Sequence, residues 1–463
     1  MITRIFTFKA RQFAVVFILM LMGSGCALLP KSDMKAPQVA MPDKWQGTTV
    51  TGSAVANGDK WWQSFNDPVL NQLIDRALRT NNDLAAAAIR VRRAQLKSGL
   101  TDTNLTPSVN ATGNSGITKD LNTGSNVQNH NITGTLSYEL DLWGRLAKLR
   151  ESSRWEAEAT EVDRQNTALA LIGTTASAYW QIAYLNERIA SSEAGIAYAE
   201  KTFDLVQAKY LAGAVSGIDP TQSSQTLETE RANLTQLIQQ LVEARNRLAI
   251  LFDQTPENSV PELRQLPDGL LPTVVAGLPA DILGRRPDLR GAELRLREYM
   301  ADVDATRASF YPAISLTGSL GSSSTSLANI LQNPVAALGV GLALPFVQWN
   351  TAKLNIKVSE TEFEEAVVNF RQTLYKALSD VENALSANGQ YQAEGVHLEQ
   401  ALALSKKAEQ LAGIRYRAGA TGVQAWLDEQ ERRRNAETSL LTNHLNRLNT
   451  LMKLYQAVGG DMG

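Results

Sequence analysis

Two rhythms of apolar residues alternate along this chain. In 132–142 the alternation is strict: Ile132, Gly134, Leu136, Tyr138, Leu140 and Leu142 share one face, and Thr133, Thr135, Ser137, Glu139 and Asp141 the other. A period of two predicts a strand with two unlike faces. Segment 108–117 sets Val109, Ala111 and Ile117 against Asn110, Thr112 and Asn114. Segment 313–321 sets Ile314, Leu316 and Leu320 against Ser315, Thr317 and Ser319. Segment 336–346 sets Leu338, Val340, Leu342, Leu344 and Phe346 against Gly339, Gly341 and Ala343. Each strand runs to about ten residues, the length of a tilted transmembrane β-strand. The polar face, with hydroxyls and the acids Glu139 and Asp141, suits a water-filled lumen, although solvated surface charge or a soluble sandwich edge gives the same pattern. Four strands are too few to close a membrane barrel, which takes at least about eight. If they span a bilayer, several chains share one barrel.

The second rhythm is helical. Leu185, Ile189, Ser192, Ile196, Ala199, Phe203, Val206 and Tyr210 step by four and three, a heptad seam. Leu227, Leu234, Ile238, Leu241, Leu248 and Phe252 keep the same rhythm, as do Phe370, Leu374, Ala377, Val381 and Ala384. No proline interrupts Trp143 to Ala212, so a helix of about 70 residues, or ~100 Å, is predicted there. The expected fold is mainly α, with long helices at 144–212, 220–252, 350–415 and 423–458 and four β-strands.

The halves repeat. Asp83-Leu84…Arg90-Val91-Arg92 recurs 205 residues later as Asp288-Leu289…Arg295-Leu296-Arg297, and Tyr210-Leu211-Ala212-Gly213-Ala214 recurs as Tyr416-Arg417-Ala418-Gly419-Ala420. Trp143 meets Trp349 at the same spacing as the tyrosines. A near-constant offset across both halves marks an internal duplication. The expected units are 59–255 and 288–463, joined by a connector at 256–287 that holds six of the chain's 15 prolines. Asp83 and Asp288, each ahead of a helical run, are expected N-caps. Trp61 and Trp62 read as packing anchors.

The N-terminus reads as an address. Arg4, Lys9 and Arg11 precede the apolar run 13–22, which ends in Gly23-Ser24-Gly25-Cys26. This predicts a signal over 1–25 that is too short to span a bilayer. Cys26 is the chain's one cysteine and is the expected site of a covalent lipid; residues 26–58, with Pro30, Pro37 and Pro42, read as a tether. Charge is balanced at 45 basic against 47 acidic residues, which argues against a nucleic-acid partner. The three histidines are scattered, and neither a metal-ligand spacing nor a P-loop, nucleophile elbow or C-x-x-C occurs. No metal, no other cofactor and no enzyme chemistry is expected.

Trp61-Trp62…Phe65-Asn66-Asp67-Pro68…Asn82-Asp83-Leu84 resembles the opening signature of the TolC-type outer-membrane efflux family. Tyr138 to Arg145, Arg285-Arg286-Pro287-Asp288-Leu289 and Phe310-Tyr311-Pro312 resemble its other hallmarks, and the lipoprotein signal is similar to that of the OprM/NodT branch. One departure is Gln348-Trp349-Asn350, where the family has an acidic-glycine turn. The resemblance implies a homotrimer in the bacterial outer membrane, with one twelve-stranded barrel, a periplasmic helical tunnel, and 256–287 in a belt around it. It implies a passive exit duct for drugs or other small toxic compounds, served by a periplasmic adaptor and an inner-membrane pump. A duct for ABC-driven protein secretion and a periplasmic coiled-coil scaffold are the rival readings.

The resemblance also assigns sites. The turns holding Tyr210, Gly213, Tyr416 and Gly419 become adaptor-docking tips, with each glycine as a left-handed cap. Asp219 and Asp428 fall at gate positions, where three-fold symmetry makes rings of carboxylates. Asp219 before Pro220 is equally an N-cap and N1 pair.

Overall fold

Asp67 starts the first helix, α1 (Pro68–Thr80), by accepting from the Val69 and Leu70 amides, with Pro68 in the first turn. At α2 (Asn82–Asp102) the cap differs from expectation. Asn81 accepts from the Leu84 amide at 3.1 Å, and Asp83 lies inside the first turn. Asp288 likewise sits in the first turn of α5 (Pro287–Ala308), where it grips the Arg286 guanidinium at 3.0 and 2.7 Å. Both aspartates still favour the positive helix end, two residues further in than a cap.

Besides short helical turns, the remaining elements are β1 (Ser108–Lys119), β2 (Asn126–Leu140), α3 (Arg145–Leu211), α4 (Ile218–Leu251), β3 (Ala313–Ser324), β4 (Pro334–Ala343), α6 (Trp349–Arg417) and α7 (Val423–Ala457). The order helix, two strands, long helix, turn, helix thus occurs twice. The structure, a computed structural model, describes residues 42–46, 58–256, 261–269, 271–272 and 279–460. Cys26, the signal and most of the tether lie outside the described residues.

The described chain divides into two units. One comprises Ala94–Ala157 and Leu294–Val368, and it contains the sheet. All four strands are antiparallel in the order β1-β2-β3-β4. The register opposes Leu136 to Val109 and to Gly318, and Gly318 in turn to Leu338, so the apolar rows of all four strands fall on one face. Strand β2 begins six residues earlier than its alternation predicted. Strand β4 ends earlier than expected: a 3₁₀ turn over Pro345–Val347 takes Leu344 and Phe346 out of the ladder, because Pro345 has no N–H to give it.

The other unit comprises Val39–Arg93, Glu158–Glu293 and Asn369–Gly463 and holds the main core. Trp61, Leu70, Ile74, Ile172, Trp180 and Leu248 are all buried in it. Trp61 stacks on Tyr455 at 4.8 Å, and Phe65 meets Trp180 at 5.1 Å. The two tryptophans of the opening motif therefore pack, as expected. Along α4 the seam keeps the heptad but not every expected residue. Leu237, Leu241, Ala244 and Leu248 turn inward, still stepping by four and three, while Ile238, one residue from Leu237, is exposed. On α6, Leu374, Ala377 and Val381 pack with Leu289 and Leu454 as a second cluster.

Polar ties fix the connector and the second repeat's entry. The Leu266 amide donates to Glu187 at 3.0 Å, Asn186 donates to the Leu263 carbonyl at 2.8 Å, and Arg245 pairs with Glu262 at 2.6 Å. Arg286 is buried and donates to Asp288, to Asp380 at 3.2 Å, and to the carbonyls of Ala377 and Ala457. A cation so far from water needs that full set of acceptors.

Trp180 is completely buried among apolar neighbours. Trp180→Ala is expected to cost about 3–5 kcal/mol, read as a lowered denaturation midpoint, while Trp180→Phe keeps most of the packing. A midpoint unchanged in Trp180→Ala would contradict this core.

Candidate functional site

The sheet's two faces differ in chemistry. On one, Val109, Ile132, Leu316, Leu320, Leu338 and Val340 are all at least 42% exposed in the single chain. Nine-tenths of Leu338 faces outward, at 95% exposure. The apolar part of this face runs over Ile132–Leu140 of β2 and Pro334–Leu342 of β4 and turns polar beyond Ile132, at His130 and Gln128. An apolar band of that height is what hydrocarbon requires. The opposite face carries Asn110, Thr112, Asn114, Asn131, Thr133 and Ser315, neutral hydrogen-bonding groups. Small residues keep it low: a Cβ on Gly341 would lie 2.5 Å from the Ser315 hydroxyl, and one on Gly321 would lie 2.8 Å from that of Thr133. Among the described residues, β1 pairs only with β2 and β4 only with β3, so both outer edges are open.

Glu139 and Asp141 were expected as strand acids. Glu139 ends the polar row and is paired with Arg145 at 2.9 Å. Asp141 lies beyond β2, and its carboxylate accepts from the Leu146 and Ala147 amides at 3.0 and 2.8 Å. It caps α3, with Gly144 at φ +72° supplying the turn. Trp143 completes this corner, donating to the Pro312 carbonyl at 2.7 Å and stacking on Tyr311 at 5.1 Å.

At the helix turns the glycines act as their spacing predicted. Gly213 and Gly419 have φ of +71° and +73°. The Gly213 and Ala214 amides donate to the Tyr210 and Lys209 carbonyls, and those of Gly419 and Ala420 to the Tyr416 and Arg415 carbonyls. Both are Schellman caps. The tyrosines, however, are not equivalent. Tyr210 is 43% exposed, whereas Tyr416 is 1% exposed, stacked on Trp426 at 5.4 Å. The Lys209 ammonium lies 4.3 Å above the Tyr416 ring and donates to its carbonyl at 3.1 Å. A tyrosine held in this way has no surface to offer a partner, so its expected docking role is corrected to one of packing.

Helix α4 begins at Ile218, which places Asp219 inside the first turn; the expected N-cap and N1 pairing with Pro220 is not formed. Its carboxylate reaches Tyr416 electrostatically and, after burial, helps push that phenol up. Asp428 is half-buried on α7 and accepts from Gln424 at 2.6 Å. Near it, Arg433 bridges Glu409 and Glu437, and Arg434 pairs with Glu230 at 2.9 Å.

Sequence reasoning missed one cluster. Glu298 of α5 meets Glu156 of α3, with Asp302 one helical turn on and Glu362 of α6 beside Asp302; Arg295 lies 3.6 Å from Glu156. Burial, then the charges of Glu156 and Asp302, push the Glu298 carboxyl up to about 8. Glu156 and Glu362 lie far from Glu298 in sequence, and only helix packing brings them beside it. Among the described residues, no group of three or more His, Cys, Asp or Glu could hold a metal ion, and no helix is long and apolar enough to cross a membrane.

A sheet built this way, joined to long paired helices, defines the class of TolC-like outer-membrane channels. The open-state MtrE outer membrane channel of Neisseria gonorrhoeae superposes with a TM-score of 0.78 at 29% identity, over 94% of this chain and 99% of that one. Toxin and drug export protein A of Aggregatibacter actinomycetemcomitans is 31% identical over 405 residues, 86% of this chain and 88% of the relative. The pyoverdine export outer membrane protein OpmQ of Pseudomonas aeruginosa is 29% identical over 433 residues, 91% of each. The profile of the outer membrane efflux protein family matches residues 73–252 and 278–460, and the chain belongs to that family. It is an outer-membrane efflux channel protein.

The Glu298 cluster has a pH signature. A carboxyl raised above its ordinary 4.5 adds no cost below that value; a cost grows from there to about 8 and is complete above it. Glu298→Gln is therefore expected to raise the melting temperature at pH 8.5 and to change it little at pH 4.5. A gain independent of pH would place the charge elsewhere.

Proposed function

We propose that three copies of this chain close one barrel of twelve strands, four from each, which serves as the passive exit of a tripartite efflux system. The observation that carries this reading is the sheet: an apolar face, a polar face and two open edges. Open edges are not tolerated in hydrocarbon, and one four-stranded sheet cannot close on itself. A periplasmic adaptor and an inner-membrane pump complete the system, and the pump supplies the energy. The cargo is drugs or other small toxic compounds, a reading supported by the export of toxin and drug named for one relative. Cys26 carries the lipid anchor, which the barrel supplements. Tyr210, Gly213 and Gly419 mark the turns that meet the adaptor, while Tyr416 stiffens the second turn from within.

Asp219 and Asp428 form the periplasmic gate, each repeated three times around the axis. Neither is consumed as an N-cap: Asp219 lies within the first helical turn and Asp428 further along its helix. Rings of three carboxylates at a constriction attract cations and repel anions.

Native mass spectrometry of the detergent-extracted protein is expected to give a trimer of chains each bearing lipid on Cys26. A stable monomer with intact β-structure, or an unmodified thiol, would overturn the assembly or the anchor respectively. In planar bilayers, Asp219→Asn, Asp219→Ser and Asp428→Asn are each expected to lower cation preference by about two-fold or more, at nearly unchanged thermal stability. Wild-type selectivity in all three would overturn the gate role of these carboxylates.

A further inference from the structure

The two repeats leave the sheet differently, and the difference exposes a site. In the first repeat Asp141 caps α3, Gly144 makes the turn at φ +72°, and Trp143 is tied to Pro312. At the matching spacing the second repeat has Val347, Asn350 and Trp349. Without the cap and the glycine, the chain takes the Pro345–Val347 turn and α6 begins at once on Trp349, which stays 70% exposed. Beside it opens a cleft of about 690 Å³, walled by Phe310, Tyr311, Phe346, Trp349 and Ile356. Lys353 and Lys357 stand on its rim one turn apart, next to the Arg307–Glu360 pair at 2.7 Å.

The cleft lies at the foot of the β3–β4 hairpin, directly after the apolar rows that end at Ile314 and Leu342. Trp143, stacked on Tyr311, and Trp349 mark the same level, where an outer-membrane barrel places its aromatic girdle. An apolar wall with two ammonium groups at its mouth fits an amphiphile with an acyl chain and an anionic head. We propose that this cleft binds an anionic phospholipid of the inner leaflet, with its phosphate on Lys353 and Lys357 and a chain against Trp349.

Charge separates this occupant from a second copy of the chain. The edge that a neighbouring copy would bring to β4 is β1, preceded by α2. Between Asp83 and Asp102 that helix carries Arg90, Arg92, Arg93 and Lys97 and no acid. Asp102 itself is held by Arg150 at 2.5 Å. A neighbour therefore adds like charge to the two lysines and brings no free carboxylate. The phosphate has to come from the membrane.

The test uses the full-length protein in vesicles of phosphatidylethanolamine containing brominated phosphatidylglycerol, or brominated phosphatidylethanolamine in its place. Bromine quenches tryptophan on contact, and the Trp349→Phe variant isolates the Trp349 signal. The Trp349 component is expected to be quenched at a brominated-phosphatidylglycerol content at least about five-fold lower than for the zwitterionic lipid. The preference disappears in the double variant Lys353→Gln, Lys357→Gln and persists in Cys26→Ala. Equal quenching by the two lipids, or a preference that survives the double variant, overturns the proposal. A Trp349 signal that no lipid quenches means that a second copy fills the cleft. Quenching seen only in Cys26→Ala means that the chain's own lipid fills it. Either result also overturns the proposal.

Discussion

A strand in hydrocarbon has no water to satisfy its amides and carbonyls, so each needs a protein partner. In this chain β2 and β3 meet that demand on both sides, while β1 and β4 meet it on one. The other architectural features fit that shortfall. The register brings the apolar rows around Leu136, Leu316 and Leu338 onto one face, and among the described residues the outer edges of β1 and β4 are unpaired. The duplication supplies two hairpins per chain, and β2–β3 pairing welds them into one sheet.

The helical parts answer a different constraint. Helices of 67 and 69 residues cannot be stabilised by propensity alone, and most of their stability comes from packed faces. Small residues at Ala176, Ala183, Ala377 and Ala384 let the helices approach closely, and aromatic anchors such as Trp61, Trp180 and Tyr455 fill the wider spaces. Arg286 fixes the entry to the second repeat by bonding to two carbonyls from separate helices. Its motif is readable in the sequence, but that job is visible only once α6 and α7 are folded beside it.

Much of this was legible in the chain. Strict alternation gave the four strands, proline-free heptads gave the long helices, and glycine at a repeated spacing gave both caps. The misreadings share a cause: they concern side chains whose partners are distant in sequence or whose neighbours compete for one role. Asn81 took the cap expected of Asp83 because it stands at the residue where helical geometry begins. Tyr416 and Tyr210 look identical in the repeat, yet Trp426 and Lys209 bury only one of them. Leu237 and Ile238 both fit a four-and-three step with Leu241, and packing selects only Leu237. Glu298 gave no signal, since its neighbours lie on other helices or elsewhere on its own.

The polar face of the sheet carries one further consequence. Along the described strands its side chains are amides, hydroxyls, bare glycine backbone and small apolar groups such as Val335 and Ala337, and its single acid, Glu139, is neutralised by Arg145. Such a wall exchanges hydrogen bonds with a passing solute much as water does. It has no Coulombic preference, so a zwitterion, an anion and a lipophilic cation meet nearly the same landscape on the way out. Discrimination by sign then belongs wholly upstream of the strands. An exit with no electrostatic bias is suited to a pump whose cargo varies, because nothing released into it is held back.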